Sequence, residues 1–316
     1  MYKSLFIQVK KLIPRISTTE LIALRSGNVS LDRQIMKGMV ELPTKQKIES
    51  KFPKENLDKL FKVFSKKPLN SKIYPDYPDI IHYLAKNKYF SFLIDEKYGG
   101  IKLSVQELSN ILTKITSVDP GLGVIAMVPN SLGPGELLLN YGTQQQKNKY
   151  LPKLANGDFI PCFGLTGPNN GSDATGAIDT GILKKDENGN RYVDVIIDKR
   201  YITLAPVSNL IGIAFKMEDP HTLLEKGSSG VCLALLESNT CGLKQETYHN
   251  PLNVGFPNGT LKGHLHIPIE NIIGGEENAG NGWKMLMDCL SAGRGVSLPA
   301  TANASSKVAT FGIFHY

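Results

Sequence analysis

The spacing of apolar residues changes period twice along this chain. Leu57, Leu60, Phe61 and Phe64 recur at i, i+3, i+4 and i+7, one stripe of an α-helix. Ser104-Val105-Gln106-Glu107 has the spacing of a capping box, in which the serine takes the third backbone N–H and the glutamate reaches back. Behind it Val105, Leu108, Ile111, Leu112 and Ile115 are expected on one buried face. Thr143-Gln144-Gln145-Gln146 opens a further helix, and Pro152 is expected to begin a separate short turn. Gly99-Gly100, Asp119-Pro120-Gly121 and Ser131-Leu132-Gly133-Pro134-Gly135 punctuate these helices. Nearer the start, Ser17-Thr18-Thr19-Glu20 is another capping box, and its short helix is expected to run to Arg25.

After Phe159 the pattern turns to short β-branched runs bounded by turn formers: Tyr192 to Ile197, Leu210 to Phe215, and Val231 to Leu236. Leu261, Leu265 and Ile267 alternate with Lys262, His264 and His266, a strand with one buried face. No long helix separates these runs, which argues against a parallel doubly wound sheet and for an α+β chain. Helical spacing returns at Trp283, Leu286, Met287 and Leu290, continued by the small residues from Ala300 to Ala309. A two-turn helix there would leave its apolar face uncovered. The expected organisation is a leader over 1–42, a helical domain over 43–160, a β domain over 161–275, and the start of a second helical domain over 276–316.

Composition narrows the function classes. The chain has 316 residues, 41% hydrophobic and 21% charged, enough for substantial cores. Lys plus Arg exceed Asp plus Glu by 36 − 29 = 7. The excess is spread along the chain and forms no basic stripe interleaved with aromatics, so nucleic acid is not an expected partner. Cys162, Cys232, Cys241 and Cys289 form no CxxC pair and read as reduced thiols of a cytoplasmic protein. The lysine-rich start, Met1 to Ile13, lacks an apolar run of spanning length; it is expected to dock on the protein, with peripheral contact at the inner membrane as the alternative. His264 and His266 share a strand face, but the sequence offers no third ligand beside them. They read as a solvated polar face, and no metal is expected.

Two segments carry candidate chemistry. Cys162-Phe163-Gly164-Leu165-Thr166 reads as a strand running into the turn Gly167-Pro168-Asn169-Asn170-Gly171-Ser172-Asp173, and Tyr201-Ile202-Thr203 as a second strand with one hydroxyl. Glycine-permitted turns with free N–H groups suit a pyrophosphate. Strand edges with hydroxyls suit the polar rim of a flavin ring.

These segments resemble the flavin-binding motifs of the acyl-CoA dehydrogenase family. Pro129 to Leu138, Tyr141-Gly142-Thr143, Tyr150-Leu151-Pro152, Arg200 to Pro206 and Ile272-Ile273-Gly274-Gly275 extend the resemblance, which is strongest to its bacterial long-chain fatty acyl-CoA dehydrogenases and covers residues 12 to about 310. The resemblance implies an N-terminal helical domain, a middle β-barrel or sandwich, and a C-terminal helical bundle of which only the first helix is present. It implies FAD as cofactor, with Phe163, Leu165 and Thr166 at the ring edge, Gly171 and Ser172 near the pyrophosphate, and Tyr201, Ile202 and Thr203 at the reactive side. Ser172 and Arg294 are implied to contact the acyl-CoA. Gly167 stands where many members carry glutamate and is expected to loosen the turn.

The implied reaction is α,β-dehydrogenation of a medium- or long-chain fatty acyl-CoA in β-oxidation, with an electron-transferring flavoprotein as oxidant and a homo-oligomer as the working form. The family's catalytic glutamate belongs to a region expected beyond Tyr316, so the chain reads as a truncated or split form, completed by a separate C-terminal chain. Glu276 and Glu277 do not match that base. The alternative is a non-catalytic flavin- or acyl-CoA-binding remnant; a protein without ligand accounts for the motifs least well.

Overall fold

The computed structural model describes residues 21, 25, 30–38, 49–65, 78–131, 133–174, 176, 178–224, 229–246 and 249–315. The capping box at Ser17 lies outside them. By contacts the chain divides into two units, Met1–Ile48 and Glu49–Tyr316. The first contains helix α1 (Ser30–Met36), whose Ile35 and Met36 are exposed.

The second unit begins with helices α2 (Lys54–Ser65), α3 (Pro78–Lys86), α4 (Val105–Val118), α5 (Pro120–Met127), α6 (Pro134–Tyr141) and α7 (Gln144–Ala155). Leu57 and Leu60 of α2 are buried, with Phe61 and Phe64 packed beside the same core. The capping boxes at Ser104/Glu107 and Thr143/Gln146 both form. Glu107 also accepts the Lys51 N–H at 2.6 Å, so this cap ties a distant segment to α4. Leu108, Ile111, Leu112 and Ile115 are buried as expected, but Val105 is 64% exposed. It occupies the first turn, on the side of the helix away from the core.

Pro152 does not begin a new element. It lies inside α7, which continues to Ala155 because Tyr150, Leu151, Leu154 and Ala155 share a buried face; packing there outweighs the missing N–H. Asp119 closes α4 and caps α5 through the Leu122 N–H, so two helices turn on one residue. The 22-residue stretch Pro120–Tyr141 is apolar enough to cross a membrane, with mean hydropathy 1.3 over its most apolar 18 residues, but 82% of that window is buried inside the fold.

The β part is one seven-stranded mixed sheet: β1 (Pro161–Gly164), β2 (Thr180–Lys185), β3 (Arg191–Thr203), β4 (Leu210–Glu218), β5 (Gly230–Glu237), β6 (Lys244–Glu246) and β7 (Asn258–Pro268). Along β4, β1 pairs in parallel at Leu210–Ile213 and β2 in parallel at Lys216–Glu218, while β5 pairs antiparallel. β3 pairs antiparallel with β2 and β7. Strands β4 and β5 are buried on both faces, which is why their sequences read as unbroken apolar runs. Ile211, Ile213 and Phe215 join the main core, whereas Leu210, Ala214, Leu233 and Leu235 join a second cluster with α6, α7 and the last helix. Strand β3 alternates instead, burying Val193, Val195 and Ile197 and exposing Ile196.

The last helix, α8 (Gly282–His315), is 34 residues long, not two turns. Leu286 and Leu290 are buried in the second cluster, and only Trp283 and Met287 of the expected apolar face are partly exposed. Farther on, Ala300 and Ala304 are buried, and the Thr113 hydroxyl of α4 donates to the Ala300 carbonyl at 3.2 Å. Small side chains allow this close helix crossing. Further apolar residues of α8 are exposed beyond this: Leu298, Val308, Phe311, Ile313 and Phe314.

Candidate active-site cleft

Strand β1 ends at Gly164, where its pairing with β4 stops, two residues before the expected Thr166. Leu165 and Thr166 are held by β3 instead. The Arg200 N–H donates to Thr166 O at 3.0 Å, and the Thr166 hydroxyl donates to Arg200 O at 3.0 Å. This double tether meets β3 at a bulge: its pairing with β7 slips between Lys199 and Ile202. Tyr201 and Leu204 adopt positive φ values of 59° and 67° on either side of Ile202 and Thr203. Non-glycine residues rarely occupy this region, and such strain concentrates at functional sites. The bulge turns Tyr201 outward, 58% exposed, with its ring 4.6 Å from that of His249.

The result is a cleft of about 140 Å³ lined by Val128, Phe163, Leu165, Thr166, Tyr201, Ile202, Thr203, Leu290 and Arg294. Six of the eight residues assigned to the cofactor, and Arg294, meet there from β1, β3 and α8. Gly171 and Ser172 do not; they are exposed on the turn outside the cleft lining. Arg294 is brought in by a helix crossing: a Cβ on the preceding Gly293 would fall 2.6 Å from Ser131 O.

The polar groups of the cleft are complementary. Thr166 spends its proton on Arg200 O, which leaves the oxygen as an acceptor. Thr203 accepts from Asn258 Nδ2 at 3.4 Å, which leaves its O–H as a donor. Asn258, 2% exposed, also donates to Tyr201 O at 3.2 Å. Its Oδ1, and Nε2 of His249, are buried without a partner, so the support behind Tyr201 has polar capacity to spare.

Lys199 is a buried residue beside the cleft that the sequence did not single out. It continues the inward alternation of Val193, Val195 and Ile197, and its side chain is 0% exposed. Nζ lies 2.8 Å from Asp179 Oδ2 and donates to Leu165 O at 3.2 Å. Burial outweighs these partners and holds the ammonium below the usual lysine range. A lysine that anchors the Leu165 carbonyl from within the core fixes the floor of the cleft. The signal was available as a lysine in the buried phase of a strand.

Gly167 closes the turn and does not loosen it. Its N–H donates to Asn170 O at 3.2 Å. A Cβ there would fall 2.7 Å from Asp198 O and 2.8 Å from Asn170 Oδ1. Gly167→Ala is expected to lower the unfolding free energy by about 1–3 kcal/mol, the usual cost of forcing in a group. An unchanged urea midpoint would contradict this close approach.

Among the described residues, none that lines the cleft carries a carboxylate. Glu276 forms a two-pronged ion pair with Arg191, at 2.6 and 2.5 Å, and is structural. Burial pushes the Glu136 carboxyl of α6 up to about 7, and its Oε2 has no partner, but it is not part of the cleft lining.

Comparisons with known proteins agree with this architecture. Residues 66–158 match the family described as "Acyl-CoA dehydrogenase, N-terminal domain". The chain is 30% identical over 217 residues to an acyl-CoA dehydrogenase of Bacillus subtilis, covering 68% of this chain and 54% of that protein. It thus spans about half the length of that curated relative. Among solved structures, butyryl-CoA dehydrogenase from Megasphaera elsdenii superposes with a TM-score of 0.67 at 22% identity, over 86% of this chain and 70% of that one. An acyl-CoA dehydrogenase complexed with FAD from Bacillus anthracis gives 0.66 at 22% identity, over 80% and 42%. Residues 66–158 thus resemble an acyl-CoA dehydrogenase N-terminal domain, and the chain has the fold of these solved acyl-CoA dehydrogenases.

Proposed function

We propose that this chain is the flavin-holding part of an FAD-dependent acyl-CoA dehydrogenase acting on medium- or long-chain fatty acyl-CoA. The observation that carries the reading is the convergence of Phe163, Leu165, Thr166, Tyr201, Ile202, Thr203 and Arg294 on one cleft. The cleft is smaller than a complete ligand pocket of roughly 300–1,000 Å³, so it fits the edge of a ring and not a whole dinucleotide. Its apolar walls suit a planar aromatic face. The Thr166 acceptor and the Thr203 donor suit the alternating N–H and carbonyl groups of an isoalloxazine rim. FAD, when bound, supplies the hydride acceptor.

The chain's own residues bind and orient. Lys199 and the Arg200–Thr166 tether hold the rim in place. Asn258 fixes the Thr203 hydroxyl as a donor. Arg294, exposed at the mouth, offers a guanidinium to the polar portion of an acyl-CoA. Ser172 and Gly171, on the open turn, are proposed to meet the pyrophosphate, with Ser172 also near substrate. The base that takes the α-proton is proposed to come from outside the described residues, because the cleft lining has no carboxylate. An electron-transferring flavoprotein as oxidant and a homo-oligomer as working form belong to the same proposal.

Fluorescence titration of the purified chain with FAD tests the reading. Saturable binding is expected, weakened roughly tenfold in each of Thr203→Val and Ser172→Ala, the cost of one lost hydrogen bond. Absence of saturable FAD binding would refute it. Unchanged affinity in Ser172→Ala alone would remove the turn from the site.

A further inference from the structure

The outward face of β3 and β7 carries a cluster that the flavin reading does not use. Strand alternation turns His264 and His266 to the side opposite the buried Leu265 and Ile267. The β3–β7 register sets Asp194 directly across from His266. Asp194 Oδ1 lies 2.5 Å from His264 Nε2 and 3.6 Å from His266 Nε2. One donor atom from each of the three lies within 4.8 Å of the other two. The imidazoles are exposed, 59% and 63%, while the aspartate is 18% exposed. Its other oxygen is held by the Lys184 ammonium of β2. The third ligand that the local sequence lacked is thus supplied by a strand some seventy residues earlier.

We infer that Asp194, His264 and His266 form a binding site for one divalent transition-metal cation, of which Zn²⁺ fits best, bridging β3 and β7. Bonds of about 2.0–2.1 Å in tetrahedral geometry place donor atoms about 3.4 Å apart. The Asp194–His266 pair is already near that spacing, and the Asp194–His264 pair has to open by less than about 1 Å. Two imidazoles and one carboxylate favour Zn²⁺, Co²⁺, Ni²⁺ or Cu²⁺ over Mg²⁺ and Ca²⁺, which take oxygen ligands. The fourth position faces solvent. Lys184 orients the carboxylate from behind and also competes for it, so the site is tuned by a second residue that is not a ligand. None of the four lines the cleft, and the site is independent of flavin.

Titration of the tag-free chain with Zn²⁺ alone, followed by calorimetry, is expected to show one saturable site and a raised thermal midpoint. Mg²⁺ should produce neither. His264→Ala, His266→Ala and Asp194→Asn should each weaken binding at least about tenfold. Cys241→Ser, which removes the exposed thiol, should leave binding intact. Equal midpoints of all variants in chelator would show that they fold. Independently of any variant, the Co²⁺ spectrum of the wild-type chain should show nitrogen and oxygen ligation. No saturable Zn²⁺ binding, binding that survives the three substitutions, or a thiolate charge-transfer band would overturn the proposal.

Discussion

Supplied with FAD, palmitoyl-CoA and an artificial electron acceptor, the isolated chain is expected to show no measurable dehydrogenation. Removing an α-proton needs a positioned base, and general-base catalysis alone contributes about 10²–10⁴-fold. The cleft lining offers a guanidinium, two hydroxyls and a phenol but no carboxylate. Glu136 has a raised pKa but is absent from that lining. A base supplied in trans tests that assignment. Co-expression with the C-terminal domain of a long-chain relative is expected to yield an FAD-loaded complex that oxidises acyl-CoA. In that complex Arg294→Ala should depress activity and leave FAD content intact. Turnover by the chain alone, at a rate near that of a complete enzyme, would refute the assignment of the base to another segment.

Lys199→Ala is expected to destabilise the chain by about 3–5 kcal/mol, the range for breaking a buried ion pair by removing one partner. The lower end applies, because Asp179 is 19% exposed and recovers some hydration. The double variant Lys199→Met/Asp179→Leu should recover most of that loss, since paired apolar replacement of a buried ion pair is often neutral. Denaturant midpoints of the two single variants and the double variant measure the coupling. Additive losses would show that the pair is not coupled. FAD affinity supplies a second readout. If Lys199 positions the Leu165 carbonyl, affinity stays depressed in the double variant even where stability returns.

Much of this organisation is written in local pattern. The capping boxes at Ser104 and Thr143 formed because a hydroxyl and a carboxylate or amide three residues apart satisfy the same helix end wherever it lies. The alternation of Leu261, Leu265 and Ile267 named the buried face of β7. The two cofactor segments were legible as a strand–turn and a hydroxyl-bearing strand before any contact between them was known. Val105 and Pro152 were misplaced because periodicity does not say where a helix first meets the core, or whether packing outweighs a lost hydrogen bond. The 34-residue length of α8 was hidden for the same reason: Ala300 and Ala304 belong to no apolar stripe of large residues and are buried because the fold packs against them, with α4 reaching the Ala300 carbonyl.

Sequence alone determined most of the helices and strands, because these depend on side chains a few positions apart, while the resemblance to a family singled out the residues proposed to hold a flavin. Tertiary structure decided which of those residues share a cleft. Thr166 meets Arg200 only through the β3 bulge, and Arg294 arrives on a helix packed over a glycine contact. It also gave Lys199 a partner in Asp179 and brought Asp194 to the two histidines of β7. Strand register and helix crossing are properties of the whole packed chain, and long-range pairs of this kind leave no mark on local spacing.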